Sequence, residues 1–461
     1  MIFRPSRKRE RRFIVQASSL TLPAQINPLT PHSIMVAPAT ISSSSPDVIV
    51  IGGGPSGSTS ATLLAQKGFK VELYEREHFP RFHIGESLIP HSYHVLKRLN
   101  LLPKMKGSHF TKKHSVQFVS EHGKLSEPFY FAEHEPHESS QTWQVRRSEF
   151  DHLLLTNARD HGVTVYEGAR VLEVLFEGDK AVGIRVKVDD QPEREVRCKV
   201  VVDASGQSSM ILDRLKLREW DPVLKKAAVW TYFKGAYRDG GRDEGATIVL
   251  QTQGKIGWFW YIPLHDDILS VGVVAPYDYL LKNRDSKDLE KIYFEEVAKC
   301  PGLHSRLENA TRCEGFRAEK EYSYRAKQAA GNGWCLVGDA FGFLDPLYSS
   351  GVLLALTSGM MAADCIGEAL AAGDTSEKAL RKWEPNYVAG MDRMRRLVVE
   401  FYDGLNFGRL VRQHPDKKGL ITDVLIGNLF HDEVDELWPL IDAMKAEDAA
   451  KGHKEEFAMA R

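Results

Sequence analysis

Cysteine is scarce in this chain. The 461 residues include five: Cys198, Cys300, Cys313, Cys335 and Cys365. They are scattered, odd in number and form no CxxC pair. This argues against a disulfide scaffold and a zinc site, and it fits a reducing compartment. No metal is expected. An excess of one charge is missing as well, with 61 Lys and Arg against 62 Asp and Glu. There is no basic stripe interleaved with aromatics, so neither a nucleic-acid partner nor a membrane-surface role is expected. No apolar run reaches the roughly 18 residues of a membrane span, and none is expected. There is no internal repeat. What remains is an ordinary globular composition, 43% hydrophobic and 27% charged. The length suits about two to three domain-sized units with a sizeable core.

The first 46 residues differ from the rest. "MIFRPSRKRERRF" is basic, Glu10 is the one acid of the segment, and the stretch runs on through Ser, Thr and Pro to "ISSSSP". It reads as a disordered or targeting tail over 1–46. An Arg- and Ser-rich, acid-poor composition is that of an organelle transit peptide. The location taken for the protein is cytoplasmic, with organelle import as the alternative.

The segment "DVIVIGGGPSGSTSATLLAQKGFKVELYER" opens with an apolar strand, Val48 to Ile51. Gly52, Gly54 and Gly57 follow in the order GxGxxG. The first allows a tight turn, the second lets a phosphate approach the backbone, and the third lets helix and strand pack closely. The helix N-terminus then offers free N–H groups and a positive dipole end to a pyrophosphate. Glu75 closes the next strand, placed to accept hydrogen bonds from ribose hydroxyls. Strand, glycines, helix, strand and acid in that sequence specify a dinucleotide site far better than the glycines alone.

A second segment, "GWCLVGDAFGFLDPLYSSGVLLAL", carries an apolar strand from Cys335 to Val337 into Gly338-Asp339. After Gly351 comes a run of small and apolar residues that reads as a buried helix. "QVRRSEFD" holds Arg147 ahead of Phe150 and Asp151, and "VVDASGQSS" holds Asp203. Together these segments resemble the FAD-dependent oxidoreductases typified by the aromatic hydroxylases. The resemblance implies an α/β fold. A Rossmann-like FAD-binding domain over 47–372 would be interleaved with an antiparallel β-sheet substrate domain, about 108–142 and 211–330, and a C-terminal helical region would follow over 373–461. It also implies that Gly52, Gly54, Gly57, Glu75, Arg147, Asp203, Gly338, Asp339 and Pro346 hold FAD, with Asp339 on the ribityl chain.

Three further stretches narrow the chemistry: "FPRFHIGESLIP" (Phe79 to Pro90), "HFTKKHSVQF" (His109 to Phe118) and "GWFWYIPL" (Gly257 to Leu264). With the Asp345, Pro346, Ser349, Gly351 and Val352 pattern, they resemble the flavin-dependent halogenases that act on phenols and pyrroles. That family forms hypohalous acid at FADH2 with O2 and passes it to an essential lysine, here Lys113. The halide, chloride or bromide, would lie on the backbone N–H groups of Ser350 and Gly351. Trp258 and Trp260 would separate flavin from substrate. The family pattern has "GA" where this chain has Ser115-Val116.

The residues read by themselves leave alternatives open. Period 2 puts Lys112, His114, Val116 and Phe118 on the more apolar face and Lys113, Ser115 and Gln117 on the other. A one-residue slip would select Lys112. Trp258 and Trp260 share one strand face, with Phe259 and Tyr261 opposite, and by themselves they read first as core packing in a sheet. Glu86 can handle protons or cap a helix starting near Ser87-Leu88. "SKDLEKIYFEEVAKCPGL" reads as a helix ending at Pro301-Gly302. Tyr387, Phe401, Tyr402 and Phe407 are expected in C-terminal helices that close the substrate pocket.

The leading expectation is an FADH2- and O2-dependent halogenase of an electron-rich phenolic or pyrrolic ring, free or carrier-tethered. No second glycine-rich motif marks an NAD(P)H domain, so a separate flavin reductase is expected as partner. The alternatives are a geranylgeranyl-reductase-type enzyme, an aromatic hydroxylase, and an FAD-binding protein without halogenase activity.

Overall fold

The computed structural model describes residues 45–405 and 407–450. The expected tail, apart from its last two residues, lies outside them.

Val48–Ile51 is apolar and buried at all four positions, as a parallel strand covered on both faces must be. It sits inside a six-stranded sheet, parallel to Val71–Tyr74 on one side and to Val200–Asp203 on the other. Thr164–Tyr166 and Trp334–Leu336 extend that sheet in parallel, and Ala330–Gly331 forms an antiparallel edge. The Pro55–Gln66 helix packs against two others, Arg147–Asp160 and Gly351–Ala371. Close approach depends on small residues. A Cβ on Gly359 would lie 2.5 Å from the Ser56 carbonyl oxygen.

Gly351–Ala371 bears on the expected absence of a membrane span. Its 21 residues are long and apolar enough, by length and composition, to cross a membrane, but 78% of the apolar window is buried in the protein. Thr, Ser, Gly, Asp364 and Glu368 interrupt the apolar run that sequence inspection looks for. It is a core helix.

The second layer is a nine-stranded sheet. Arg218–Lys234, Leu269–Pro276, Trp258–Pro263 and Thr247–Gln251 run antiparallel in that spatial order. Ser115–Val119 joins in parallel beside Thr247–Gln251. Alternation divides the sheet into two faces. Ala228, Trp230, Tyr232, Trp258 and Trp260 join the core shared with the flavin-type layer. Val229, Phe233, Phe259 and Tyr261 pack with Ile292, Tyr293 and Leu303.

Three boundaries differ from expectation. His114 separates two short strands, Thr111–Lys113 and Ser115–Val119, which pair in different sheets. The expected helix before Pro301-Gly302 ends at Val297, and Pro301 opens a second helix, Pro301–Leu307. Pro fits the first turn of a helix because its missing N–H would have been unpaired there. Glu86-Ser87 begins no helix. The segment is extended, with Ser87 bridging to Gln144, and the first helix after it is Ser92–Arg98.

The C-terminal region is helical, with Glu384–Tyr402, Lys418–Ile426 and Leu437–Ala450 as its longer members. Arg393, whose side chain is largely buried, joins them. It donates to the Leu429 carbonyl and to the carboxylates of Asp432 and Asp435.

Candidate active site

The glycine turn is shaped by contacts that admit no side chain. Gly52 has φ +101°, and a Cβ there would lie 2.4 Å from the Ala204 carbonyl oxygen. A Cβ on Gly57 would meet the Gly52 oxygen at 2.0 Å. Gly54 caps the Pro55–Gln66 helix without any side-chain hydrogen bond, so the first-turn N–H groups keep no cap. Glu75 accepts from the Gly53 N–H at 2.7 Å and the Glu77 N–H at 2.9 Å. From here a cavity of about 740 Å³ runs past Arg147 and Asp339 to Pro346, Gly351, Trp258 and Trp260. Gly57, Asp203 and Gly338 do not line it. Asp203 instead accepts from the Ser205 and Ile211 N–H groups and the Ser205 hydroxyl. Its carboxylate shapes the wall from behind.

Arg147 spends its donors on the protein. Nε and Nη2 bond Asp151 at 2.8 and 3.0 Å, and Nη1 bonds the Ile84 carbonyl at 2.6 Å. Arg81 bonds the same Asp151 carboxylate at 2.8 Å. Burial alone would raise Asp151, yet the two guanidinium groups hold it below the usual carboxylate range. Asp151 therefore holds two cations at the cavity, and Arg147 holds the loop that carries Glu86 and Ser87. Asp339, half-buried at the cavity wall, is pushed up to about 6 by burial, against the pull of the Arg147 charge.

Burial pushes the Glu86 carboxyl up to about 7, against the Ser270 and Tyr232 hydroxyls that favour its charged form. The Tyr232 hydroxyl donates to Oε1 at 2.9 Å, while Oε2 has no hydrogen-bond partner. Tyr232 escaped the sequence reading. Its signal was the alternation that places it on one face with Trp230.

Trp258 and Trp260 do form one wall, with ring centroids 6.4 Å apart. Trp230 stands 6.2 Å from Trp260 as a third indole. Trp260 lies across Gly272 on the neighbouring strand, where a Cβ would meet the indole at 2.2 Å. Both indoles are pinned by their N–H groups. Trp260 Nε1 donates to Ser270 Oγ at 3.0 Å. Trp258 Nε1 donates to the Tyr402 hydroxyl at 2.8 Å, which donates to Asp345 at 3.0 Å. Of the four aromatics expected over the pocket, Tyr402 holds this wall and Phe407 stacks on Phe118. Tyr387 is a core residue bonded to the Leu354 carbonyl, and Phe401 packs on Tyr348.

Lys113 stands just behind the end of the cavity. It is 2% exposed, whereas Lys112 is exposed on the opposite side. Its Nζ donates to Ser87 Oγ at 2.9 Å and the Leu88 carbonyl at 3.1 Å. Ser87 in turn bonds Thr247, and both line the cavity. Among the described residues no carboxylate pairs with Lys113, and burial pulls its ammonium down to about 7. The face that alternation marked as polar is the buried one. Lys113, Ser115 and Gln117 are all enclosed. Ser115 bonds Asp243, while Val116 packs with Phe131 and Ile426.

At the far turn, Ser349 adopts φ +58° and Gly351 opens the long helix. A Cβ on Gly351 would meet nothing within 4 Å, so its face is open to the cavity. Ser350 Oγ is buried and has no hydrogen-bond partner.

The comparisons with known proteins agree with this geometry. The model of the tryptophan halogenase family matches residues 47–144 and 120–406. The chain belongs to the flavin-dependent halogenases. It is 36% identical over 353 residues to flavin-dependent halogenase armH3 of Armillaria mellea, covering 73% of this chain and 70% of that one. It is 34% identical over 389 residues to the 1H-pyrrole-2-carbonyl-[peptidyl-carrier protein] brominase of Pseudoalteromonas luteoviolacea (strain 2ta16), covering 83% and 92%. The solved structure of the flavin-dependent brominase Bmp2 superposes with a TM-score of 0.76 at 30% identity, over 88% of this chain and all of that one. The family displaces the geranylgeranyl-reductase and hydroxylase readings, as well as that of a flavoprotein without halogenase activity. For a halogenase, the cavity is where FAD belongs. The side-chain-free glycine cradle, the Glu75 and Asp339 carboxyl groups and the Arg147 guanidinium along one channel all fit it.

Proposed function

We propose that this halogenase makes hypohalous acid from chloride or bromide and that Lys113 delivers it to an electron-rich phenolic or pyrrolic ring. Reduced FAD bound in the cavity would supply, with O2, the two-electron oxidation of the halide. The protein's own groups do the rest. Gly52, Gly54, Glu75, Arg147, Asp339 and Pro346 face the cofactor, while Gly57, Asp203 and Gly338 keep its cradle in shape. The Ser350 and Gly351 N–H groups hold the halide at the start of a long helix, where the dipole favours an anion. The indoles of Trp258 and Trp260 keep the organic substrate off the flavin and leave passage for a small oxidant. Glu86, whose carboxyl burial pushes up to about 7, gives and takes a proton beside them.

One observation carries the reading. Lys113 is enclosed just behind the end of the cavity, held by Ser87 and the Leu88 carbonyl, with no carboxylate paired to it among the described residues. An ammonium there donates a hydrogen bond to hypohalous acid, whereas the free amine forms an N–halogen bond as the O–halogen bond breaks, the hydroxide leaving as water with the amine proton. Both forms are available near pH 7. The relative that brominates a pyrrolyl group on a carrier protein supports a tethered substrate as well as a free phenol. The single glycine-rich nucleotide motif supports a separate reductase.

The test supplies FAD, a flavin reductase, NADH, and either bromide or chloride to the enzyme. Free phenols and carrier-bound pyrrole serve as substrates, and products are read by mass spectrometry. Halogenated product that vanishes in Lys113→Ala, with FAD binding and flavin oxidation intact, is expected. Loss in Lys112→Ala alone would overturn the assignment.

A further inference from the structure

Outside the flavin cavity, three segments distant in sequence bring His109, Glu149 and His265 together. Their ligand-type atoms all lie within 4.8 Å of one another. His109 Nε2 is 2.8 Å from Glu149 Oε2, and His265 Nε2 is 3.1 Å from Glu149 Oε1. The two imidazole rings cross at 75° with centroids 4.3 Å apart.

His265 is the buried member of the cluster. Its side chain is only 7% exposed, and Nε2 makes no hydrogen bond despite the carboxylate at 3.1 Å. The other ring nitrogen, Nδ1, lies 3.0 Å from Asp266 Oδ2. A proton on Nδ1, bonded to Asp266, leaves a lone pair on Nε2. A lone pair facing a carboxylate oxygen is relieved by a proton or by a metal cation between them, and in the tautomer protonated at Nδ1 the position is open to a metal. A histidine held through one nitrogen by a carboxylate, with the other free, is the usual arrangement around a metal ligand. Zinc bonds to His nitrogen and carboxylate oxygen at about 2.0–2.2 Å, which sets neighbouring ligand atoms of a tetrahedron roughly 3.3 Å apart. The 2.8 and 3.1 Å separations run from the two imidazoles to different oxygens of one carboxylate, and the three ligand-type atoms lie within 4.8 Å of one another, a spacing that a single ion between them can draw together.

We infer that His109, Glu149 and His265 bind one divalent transition metal of the zinc class, with water as the remaining ligand. Two imidazoles and one carboxylate suit zinc better than the all-oxygen preference of magnesium or calcium. The adjoining surface cavity, which Lys112, His114, Arg238 and Glu244 also line, leaves room for that water. The site clamps the segments that serve the active site. His109 precedes the strand of Lys113, Glu149 shares the first turn of the Arg147 helix, and His265 lies in the turn behind Trp258 and Trp260. Cysteine and histidine spacing along the chain does not reveal it, because the fold assembles it from three separate segments.

The experiment uses the full-length enzyme, purified on a tag without histidine and stripped with chelator. Zinc is titrated calorimetrically, cobalt(II) is followed by its visible absorption, and bound metal is counted by mass spectrometry. One zinc per chain with submicromolar affinity is expected. His109→Ala, Glu149→Gln and His265→Asn should each weaken it at least about tenfold, the usual cost of removing a ligand or its support. His109 is 64% exposed at its side chain, so its variant tests the site without threatening the fold. Saturating zinc should raise the Tm of the wild type by about 2–4 °C and leave His109→Ala unmoved. A second cluster, His91, His94 and Glu135, provides the control. The double variant His91→Ala, His94→Ala should bind zinc as the wild type does. Absence of stoichiometric zinc, or zinc retained by His109→Ala and lost in the His91/His94 variant, overturns the proposal.

Discussion

Lys113 is costly to bury. Its ammonium pKa falls from 10.5 to about 7 in the folded protein. Between those values the unfolded chain holds a proton that the native state has released, so native stability rises with pH across that window. Below about 7 the full penalty applies. Replacing Lys113 by Met removes the charge but keeps most of the volume. The variant should lose halogenation yet melt no lower than wild type at neutral pH. Its gain in stability should be larger near pH 6.5 than near pH 9.5, by about 2–3 kcal/mol. Denaturant unfolding at the two pH values measures this, and an equal gain at both would refute it. Burial acts on Glu86 in the opposite direction for the same reason, pushing its carboxyl up to about 7. Glu86→Gln keeps an acceptor for Tyr232, so FAD binding should persist. The limb of the pH–rate profile that centres near 7 from this carboxyl should flatten. An unchanged profile would remove Glu86 from proton handling.

The tryptophan wall is a property of strands and of what pins them. Period-2 alternation already put Trp258 and Trp260 on one face in the sequence, and the sheet keeps them there. The choice between core packing and a functional wall was not legible, because it depends on Gly272 and Tyr402 on other elements. Gly272→Ala places a methyl group inside the Trp260 ring. Overpacking of that kind costs about 1–3 kcal/mol and should displace the indole. Thermal melting would show the loss, and halogenated product per NADH consumed should fall. Tyr402→Phe leaves the Trp258 N–H and Asp345 short of a partner, costing about 1–3 kcal/mol. Asp345 belongs to the turn proposed to hold the halide, so this variant should also uncouple NADH use from product. Full coupling in Tyr402→Phe would show that the wall needs no such anchor.

Across the whole molecule, two sheets and a helical C-terminal region meet around one cavity. The C-terminal helices approach the Lys113 end of that cavity through Ile426 on Val116 and Phe131 and Phe407 on Phe118. Arg393 joins Leu429, Asp432 and Asp435 into that cover. Arg393→Met should loosen it, speeding proteolysis after residue 402 while the FAD-binding layer stays protected. Cleavage spread evenly over the chain would contradict this division. The nucleotide-binding layer was readable because its signals are local: glycines, an apolar strand and a terminal acid lie within thirty-odd residues. The nine-stranded sheet was readable in its strands but not in its order, since Ser115–Val119 joins in parallel from far upstream.

The sequence by itself determined the family and the short set of candidate residues from which the proposed chemistry is drawn. Those rest on motifs whose spacing is local and whose physical demands are narrow. Only the tertiary structure decided that Lys113 rather than Lys112 is enclosed, that Asp203 works from behind the cavity wall, and that Tyr402 anchors Trp258. It alone brought His109, Glu149 and His265 together. Each of these depends on burial and on partners far away in the chain, and desolvation is set by what packs around a group rather than by its neighbours in sequence.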